Sequence, residues 1–290
     1  MQALADFWAA YQSTVGFAVV NAFFALSTYA VLSTGVLSFA TVAYAAFGGF
    51  IGSQLVLATR IDPLLALPAA GVAGAVLAYV VGLLFLRLEG HWMALASLAL
   101  VLITRVIVLN APRLTGGVNG LSVPFEISLS ALVVLLLIAM LAFHRLSVSW
   151  YGVASRAVRE DPAVAASLGM VPRKVQTIAF VISGAVGGIG GMLLALMLQF
   201  LSPDTFFINI AFTMIAAVVL GGAYHWVGAI IGAAVFTALP VIMQAWLPDI
   251  QDVANGIALL VIMIFLPRGL FDPRAWRLRR GGKAERGRHA

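Results

Sequence analysis

Apolar runs of about bilayer length recur nine times along this chain, and that repetition leaves few folds open to it. They cover residues 14–33, 36–58, 64–86, 91–109, 127–143, 175–200, 207–220, 227–246 and 253–266. A helix of about 20 apolar residues crosses the hydrocarbon core. A membrane barrel would instead show shorter segments of alternating polarity. The run at 207–220 is short for a span. The run at 36–58 holds Ser38, Thr41 and the Gly48–Gly49 pair, so it reads as broken or re-entrant. Such breaks are tolerated where backbone lines a cavity or is covered by protein. The expected fold is all-α: a polytopic helical membrane protein with roughly eight to ten crossings.

Charge supports this reading. Only 10% of residues are charged and 62% are hydrophobic, against about 25% charged in soluble domains. A net charge of +6 on a soluble chain would suggest nucleic acid. On this one the basic residues act as topology signals and membrane-lipid contacts, and no nucleic-acid partner is expected. Alternating the nine segments from an outside N-terminus places fourteen of the seventeen Lys and Arg in the cytoplasm. The opposite orientation would violate the positive-inside rule. The N-terminus carries Asp6 and no basic stretch before the first apolar run, so that span is expected to be retained. Residues 1–272 form the expected transmembrane domain, and 273–290 a basic, disordered cytoplasmic tail. Gly184, Gly187, Gly188 and Gly191, and separately Gly228 and Gly232, stand at spacings that let helix backbones approach closely in lipid.

Several chemistries are excluded. The chain has no cysteine, so thiolate catalysis, thiolate metal sites and disulfides are closed to it. Its two lysines, Lys174 and Lys283, lie in no phosphate-binding loop. The four histidines, His91, His144, His225 and His289, are scattered without metal-ligand spacing. No cofactor, metal or catalytic group is expected. Energy for any transport must come from a partner or an ion gradient.

The longest polar interruption before the tail is residues 145–174. Asp161-Pro162 is a strong helix start, with an aspartate cap and proline in the first helical position. Gly169 and Pro172 are a natural stop. The spacing predicts a short helix over 162–168, about 11 Å long, with Val164 and Leu168 on one face and Arg156, Arg159 and Glu160 just before it. Physics alone leaves two readings open: a well-capped solvated connector, or a docking helix whose small side chains fit a partner's groove.

The stretch containing Gly152, Arg156, Arg159, Glu160, Asp161, Ala165, Ala166, Leu168 and Gly169 resembles the cytoplasmic loop of branched-chain amino acid ABC transporter permeases of the LivM type. Four further stretches are similar to that family's motifs, in order. They are Gly35-x-Leu37-Ser38 with Ala45, Phe47 and Gly48; Thr115-Gly116-Gly117-Val118-Asn119-Gly120-Leu121; Val218-Val219-Leu220-Gly221-Gly222; and Phe265-Leu266-Pro267-Arg268-Gly269-Leu270. There are departures. Val153 replaces an arginine and Pro162 an acidic residue. Tyr224 and His225 stand where Gly and Thr are commoner, and Ala229 where Pro is.

The resemblance implies a membrane permease subunit of an ABC importer, in the bacterial inner membrane. A second, related permease subunit would pair with it. Two cytoplasmic ATP-binding subunits would dock on Arg156, Arg159, Glu160, Asp161, Ala165, Ala166, Leu168 and Gly169. A periplasmic solute-binding protein would deliver a small polar organic solute. A branched-chain or related amino acid is favoured, although relatives serve urea, short amides and aromatic acids.

Candidates for the translocation path or outer gate are Ser38, Thr41, Arg105, Thr115, Gly116, Gly117, Asn119 and Gly120. Arg105 is charged within a span, which marks either function or snorkelling to the interface. The glycine-rich 115–121 loop either receives the binding protein, or closes the outer mouth, or is a flexible turn. The competing function is an ion-coupled secondary transporter. It would need polar or acidic groups at the midplane, and no acidic residue lies in an expected span.

Overall fold

The computed structural model describes residues 2–88 and 90–246. The run at 253–266, the Phe265–Leu270 motif and the basic tail lie outside the described residues.

The chain is a multi-pass bundle of helices: α1 (Gln2–Leu32), α2 (Thr41–Thr59), α3 (Pro63–Phe85), α4 (Gly90–Asn110), short α5 (Pro112–Thr115), α6 (Leu129–Val148), α7 (Trp150–Glu160), α8 (Pro162–Ser167), α9 (Pro172–Leu198), α10 (Ile208–Gly221) and α11 (Trp226–Trp246). Two short strands, β1 (Leu121–Ser122) and β2 (Phe200–Leu201), pair antiparallel, with Leu121 opposite Leu201. Local signals set several boundaries. The Asp62 carboxylate accepts from the Leu64 N–H and Pro63 opens α3. The Ser128 hydroxyl accepts from the Ala131 N–H at the start of α6. Arg60, in the left-handed region at φ 54°, closes α2.

Each of the eight apolar runs within the described residues is a helix. Among those residues, α1, α2, α3, α4, α6 and α9 are each long and apolar enough to cross a membrane. Helices α10 and α11 meet this test only as a pair, bent by 120° at the break between them. At about 1.5 Å per residue, the 14 residues of α10 reach only about 21 Å of a core about 30 Å thick. The broken element expected at 36–58 is broken at its start. Residues 36–40 are not helical, and α2 begins at Thr41. The Gly48–Gly49 pair does not interrupt α2.

Those glycines make helix contacts instead. Helix α9 lies at the centre, against α1, α2 and α3. A Cβ on Gly48 would come within 2.3 Å of the Gly188 Cα, one on Gly191 within 1.9 Å of the Ala45 carbonyl oxygen, and one on Gly184 within 2.3 Å of the Gly74 oxygen. Apolar contact with lipid tails is as good as contact with leucine, so such van der Waals approach is what holds helices together in a bilayer. The same device closes the α10–α11 pair, where a Cβ on Gly221 would meet the Gly228 oxygen at 1.8 Å.

Buried hydroxyls add ties between helices. Ser27 on α1 donates to the Ser183 carbonyl of α9 at 2.7 Å. Thr28 donates to Thr41 of α2 at 3.3 Å. The partly buried Asn21 amide of α1 likewise donates to the Thr237 hydroxyl of α11 at 2.9 Å.

The connections sort onto two rims. One rim gathers the 33–40 break, the end of α3, α7–α8 and the 222–225 turn. The Arg173 guanidinium reaches the Leu83 carbonyl, and Gly35 lies against Arg159. The opposite rim gathers 60–62, 111–128 and 199–207. The Gln54 amide donates to the Leu114 carbonyl at 2.8 Å, and the Gln199 amide to Glu126 at 2.9 Å.

Candidate functional site

The 145–174 segment folds as a helical hairpin on a base of its own. Its first arm, α7, was not legible as a helix in the polar flank. Ala154 and Val158 are four apart, and both are buried against Ala165 and Val175. At Asp161 the chain turns. The carboxylate accepts from the N–H groups of Ala163, at 2.7 Å, and Val164, at 3.1 Å. It caps α8, which ends one residue before the expected 162–168, with Leu168 as its C-cap. Gly169, with φ 83°, takes the left-handed conformation that ends it.

The eight expected docking residues divide between two directions. Leu168 is 70% exposed and neighbouring Val164 55%. Ala166, Glu160, Asp161 and Gly169 are also exposed. Ala165 is buried in the base of the hairpin, so its side chain supports α8 rather than facing a partner. Arg156 is exposed and folds back, with its guanidinium on the Ser147 carbonyl at 3.2 Å. Arg159 turns inward. Its guanidinium donates to the Ala223 carbonyl and lies over the Tyr224 ring, 4.4 Å from the centroid. Beside it, burial holds the His225 imidazole below its usual pKa, with Arg156 and His144 adding to the effect.

The path candidates separate by the length of a helix. Ser38 and Thr41 are buried at the α7–α8 rim. The Ser38 hydroxyl accepts from the Ala40 N–H at 3.2 Å. Arg105 and the 115–120 loop belong to the opposite rim, about 28 Å away along the 19 residues of α2. The two sets do not form one site.

At that far rim the glycine-rich loop is a built structure. The Thr115 hydroxyl donates to the Val108 carbonyl at 2.6 Å and accepts from the Gly117 N–H at 3.2 Å. Gly116, Gly117 and Gly120 all have positive φ, which explains three glycines in seven residues. Asn119 is exposed. The loop then enters β1, whose pairing with β2 ties it to the 199–207 connection.

Arg105 reaches the same connection. It pairs with Asp204 at 2.8 Å and lies over the Phe207 ring at 4.9 Å. The arginine therefore snorkels to a partner at the rim. The pair is open to solvent, with side-chain exposures of 39% and 68%. Exposed ion pairs and cation–π contacts each contribute on the order of 1 kcal/mol or less. Arg105→Ala is expected to lower the thermal midpoint in detergent by only a few degrees and to leave solute selectivity unchanged. A change of solute preference would restore Arg105 as a selectivity residue.

A cavity of about 210 Å³ opens near this rim, between α2, α4 and α5. Its polar side chains are occupied by backbone: Gln54 by the Leu114 carbonyl, Thr104 by Leu100 and Thr115 by Val108. What faces the space is hydrocarbon from Phe47, Phe50, Ile107 and Val108. No charged group among its lining residues could hold an ammonium or a carboxylate.

The chain is similar to several permease proteins. The chain is 30% identical over 259 residues to the high-affinity branched-chain amino acid transport system permease protein LivM of Escherichia coli (strain K12), covering 77% of this chain and 61% of that protein. It is 30% identical to LivM of Salmonella typhimurium, over 70% of this chain and 56% of the relative. It is 28% identical to a probable branched-chain amino acid transport permease protein LivH of Methanocaldococcus jannaschii, over 71% and 70%. The chain thus spans about three fifths of the length of the LivM relatives. No solved structure matches it. The profile of one family covers residues 11–266, which include both rims, the glycine-packed bundle and the α7–α8 hairpin, and the chain belongs to that family, the permease component of the branched-chain amino acid transport system.

Proposed function

We propose that this chain is a permease subunit of an ABC importer that moves a small polar organic solute across the bacterial inner membrane, with a branched-chain or related amino acid favoured. Two cytoplasmic ATP-binding subunits supply the energy. A second, related permease completes the pathway, and a periplasmic binding protein delivers the solute. The N-terminus lies outside and the C-terminus in the cytoplasm.

The observation that carries this reading is the α7–α8 hairpin. It presents exposed apolar side chains, Val164 and Leu168, on a helix capped by Asp161 and braced by its own small core. A solvated connector has no use for two exposed aliphatic residues on a braced platform. A protein interface does, because its core is apolar and its rim charged. The hairpin's rim also holds Arg87, Arg145, Arg156, Arg159, Arg173 and Lys174, while Arg60, Arg105 and Arg113 lie on the other. That asymmetry supports the cytoplasmic assignment.

The ion-coupled alternative is not favoured. Among the described residues, no aspartate or glutamate lies in any helix from α2 to α6 or from α9 to α11, so no carboxylate is placed to carry a proton across. The apolar cavity fits a permease that leaves high-affinity selection to a binding protein.

The test is reconstitution in lipid nanodiscs with the ATPase, second permease and binding-protein subunits of its proposed importer. ATP hydrolysis is expected to rise several-fold when that protein is loaded with leucine, isoleucine or valine. Calorimetry on the binding protein alone identifies the solute. Uptake that follows an ion gradient and ignores ATP would overturn the proposal.

A further inference from the structure

Arg159 makes contacts that a docking residue would not need. It sits in the last turn of α7, one residue before Glu160 and two before the Asp161 cap shared with α8. From there it touches both breaks in the bundle. Its guanidinium donates to the Ala223 carbonyl and covers the Tyr224 ring, both in the turn between α10 and α11. Its Cα packs against Gly35, where an added Cβ would stand 3.3 Å away. Gly35 has φ 83° and lies in the non-helical stretch between α1 and α2.

These are the places where the bundle can move most cheaply. A helix interior resists bending because each turn is hydrogen-bonded to the next, whereas hinges are a few residues at element ends that absorb changes in φ and ψ. Beyond the turn, α10 and α11 are locked together. A Cβ on Gly232 would meet the Ala217 oxygen at 1.9 Å, and one on Gly221 the Gly228 oxygen at 1.8 Å. Force applied to the 222–225 turn therefore reaches both arms of the bent pair. Arg159 suits the task chemically. A planar guanidinium can donate in its plane to a carbonyl while stacking its face on an aromatic ring, and a lysine ammonium has no planar face to stack.

We propose that Arg159 and Tyr224 are a positioning pair that transmits displacement of α8 to the α10–α11 pair, making the bent pair the element driven by the ATPases. This rests on the ATP-coupled reading above. The pair touches no nucleotide. It acts by holding the 222–225 turn to the end of α7, so that the docking helix and the bent pair move together.

The chain has no cysteine, so spin labels can be placed cleanly. Two double variants of the complete nanodisc complex report the two elements separately. Thr59→Cys with Ser167→Cys follows α8, and Thr59→Cys with Val219→Cys follows α10. Each distance is measured without nucleotide and with ATP and vanadate. In the otherwise unaltered chain both distances are expected to shift by on the order of 2 Å or more. With Tyr224→Leu the Ser167 shift is expected to persist and the Val219 shift to vanish. Tyr224→Phe, which keeps the ring, is expected to restore it. Arg159→Lys, which keeps the charge and loses the stack, should behave like Tyr224→Leu and guards against a folding defect in that variant. A Val219 shift that survives both Tyr224→Leu and Arg159→Lys overturns the positioning pair and leaves the ATP-coupled reading standing. Absence of any nucleotide-dependent shift at Ser167 overturns that reading, and the pair with it.

Discussion

Leu168→Glu is expected to abolish ATP-driven uptake while leaving the thermal midpoint of the isolated chain within about 2 °C of wild type. Leu168 is 70% exposed and Val164 55%, and neither belongs to the small core formed by Ala154, Val158, Ala165 and Val175. Exposed substitutions away from such a core usually change stability by no more than about 0.5 kcal/mol. At a partner's surface the same carboxylate would be desolvated among apolar groups. A central interface residue costs about 2 kcal/mol or more when truncated, roughly a 30-fold loss of affinity, and a buried unpaired charge adds to it. Val164→Glu should act in the same direction. The measurement is retention of the ATPase subunits on the tagged permease in mild detergent, followed by leucine-stimulated ATP hydrolysis. Ala165→Asp would not serve, because Ala165 is buried and its loss would unseat α8 itself. Full ATPase retention by Leu168→Glu would remove α8 from the docking surface.

Gly191→Val should prevent accumulation of folded protein. The first added carbon would stand 1.9 Å from the Ala45 carbonyl oxygen and 2.5 Å from its carbon. Both are backbone atoms of a helix, so no rotamer change relieves the overlap. Helices α2 and α9 must separate by more than an ångström, and the neighbouring approach of Gly48 to Gly188 is lost with it. Overpacking typically costs about 1–3 kcal/mol where side chains can adjust. With backbone on both sides, about 3 kcal/mol or more is expected, a large part of a marginal stability of about 5–15 kcal/mol. Size-exclusion chromatography of a fluorescent fusion should show loss of the monodisperse peak. Val76→Leu on the exposed face of α3, where Val76 is 58% exposed, should behave as wild type. A monodisperse Gly191→Val protein with an unchanged midpoint would mean that α2 and α9 do not pack as described.

Much of this was legible along the chain, and the parts that were share a cause. Each apolar run within the described residues is a helix because lipid demands internally satisfied backbone. The Asp161 cap, the Gly169 stop and the short α8 follow from contacts within a few residues. The G-x-x-x-G spacing of α9 marks close packing because only glycine permits it.

The hidden parts needed contacts from far along the chain. Arg105 shows its ion-pair partner only when Asp204, 99 residues on, arrives beside it. Arg159 reads as one more basic residue in a polar flank until Ala223 and Tyr224 come under it. Ala165 and Ala166 are neighbours of one type, yet one is buried and the other exposed. The α7 helix had a signal in the spacing of Ala154 and Val158, but a polar flank of arginines masked it.

The sequence by itself determined that the chain is a helical membrane protein, roughly where its long apolar helices run, and that α8 is a capped short helix. Tertiary structure alone decided which face of each helix turns inward and which loops share a rim. In water, burial writes itself into a helix as a polar face and an apolar face. In lipid both faces are apolar. Helix α6, with 11% of its apolar stretch buried, is as hydrophobic as α9, with 61% buried. Polarity therefore could not separate inside from outside. Only backbone approach at glycine, and the few long-range polar ties, made that distinction.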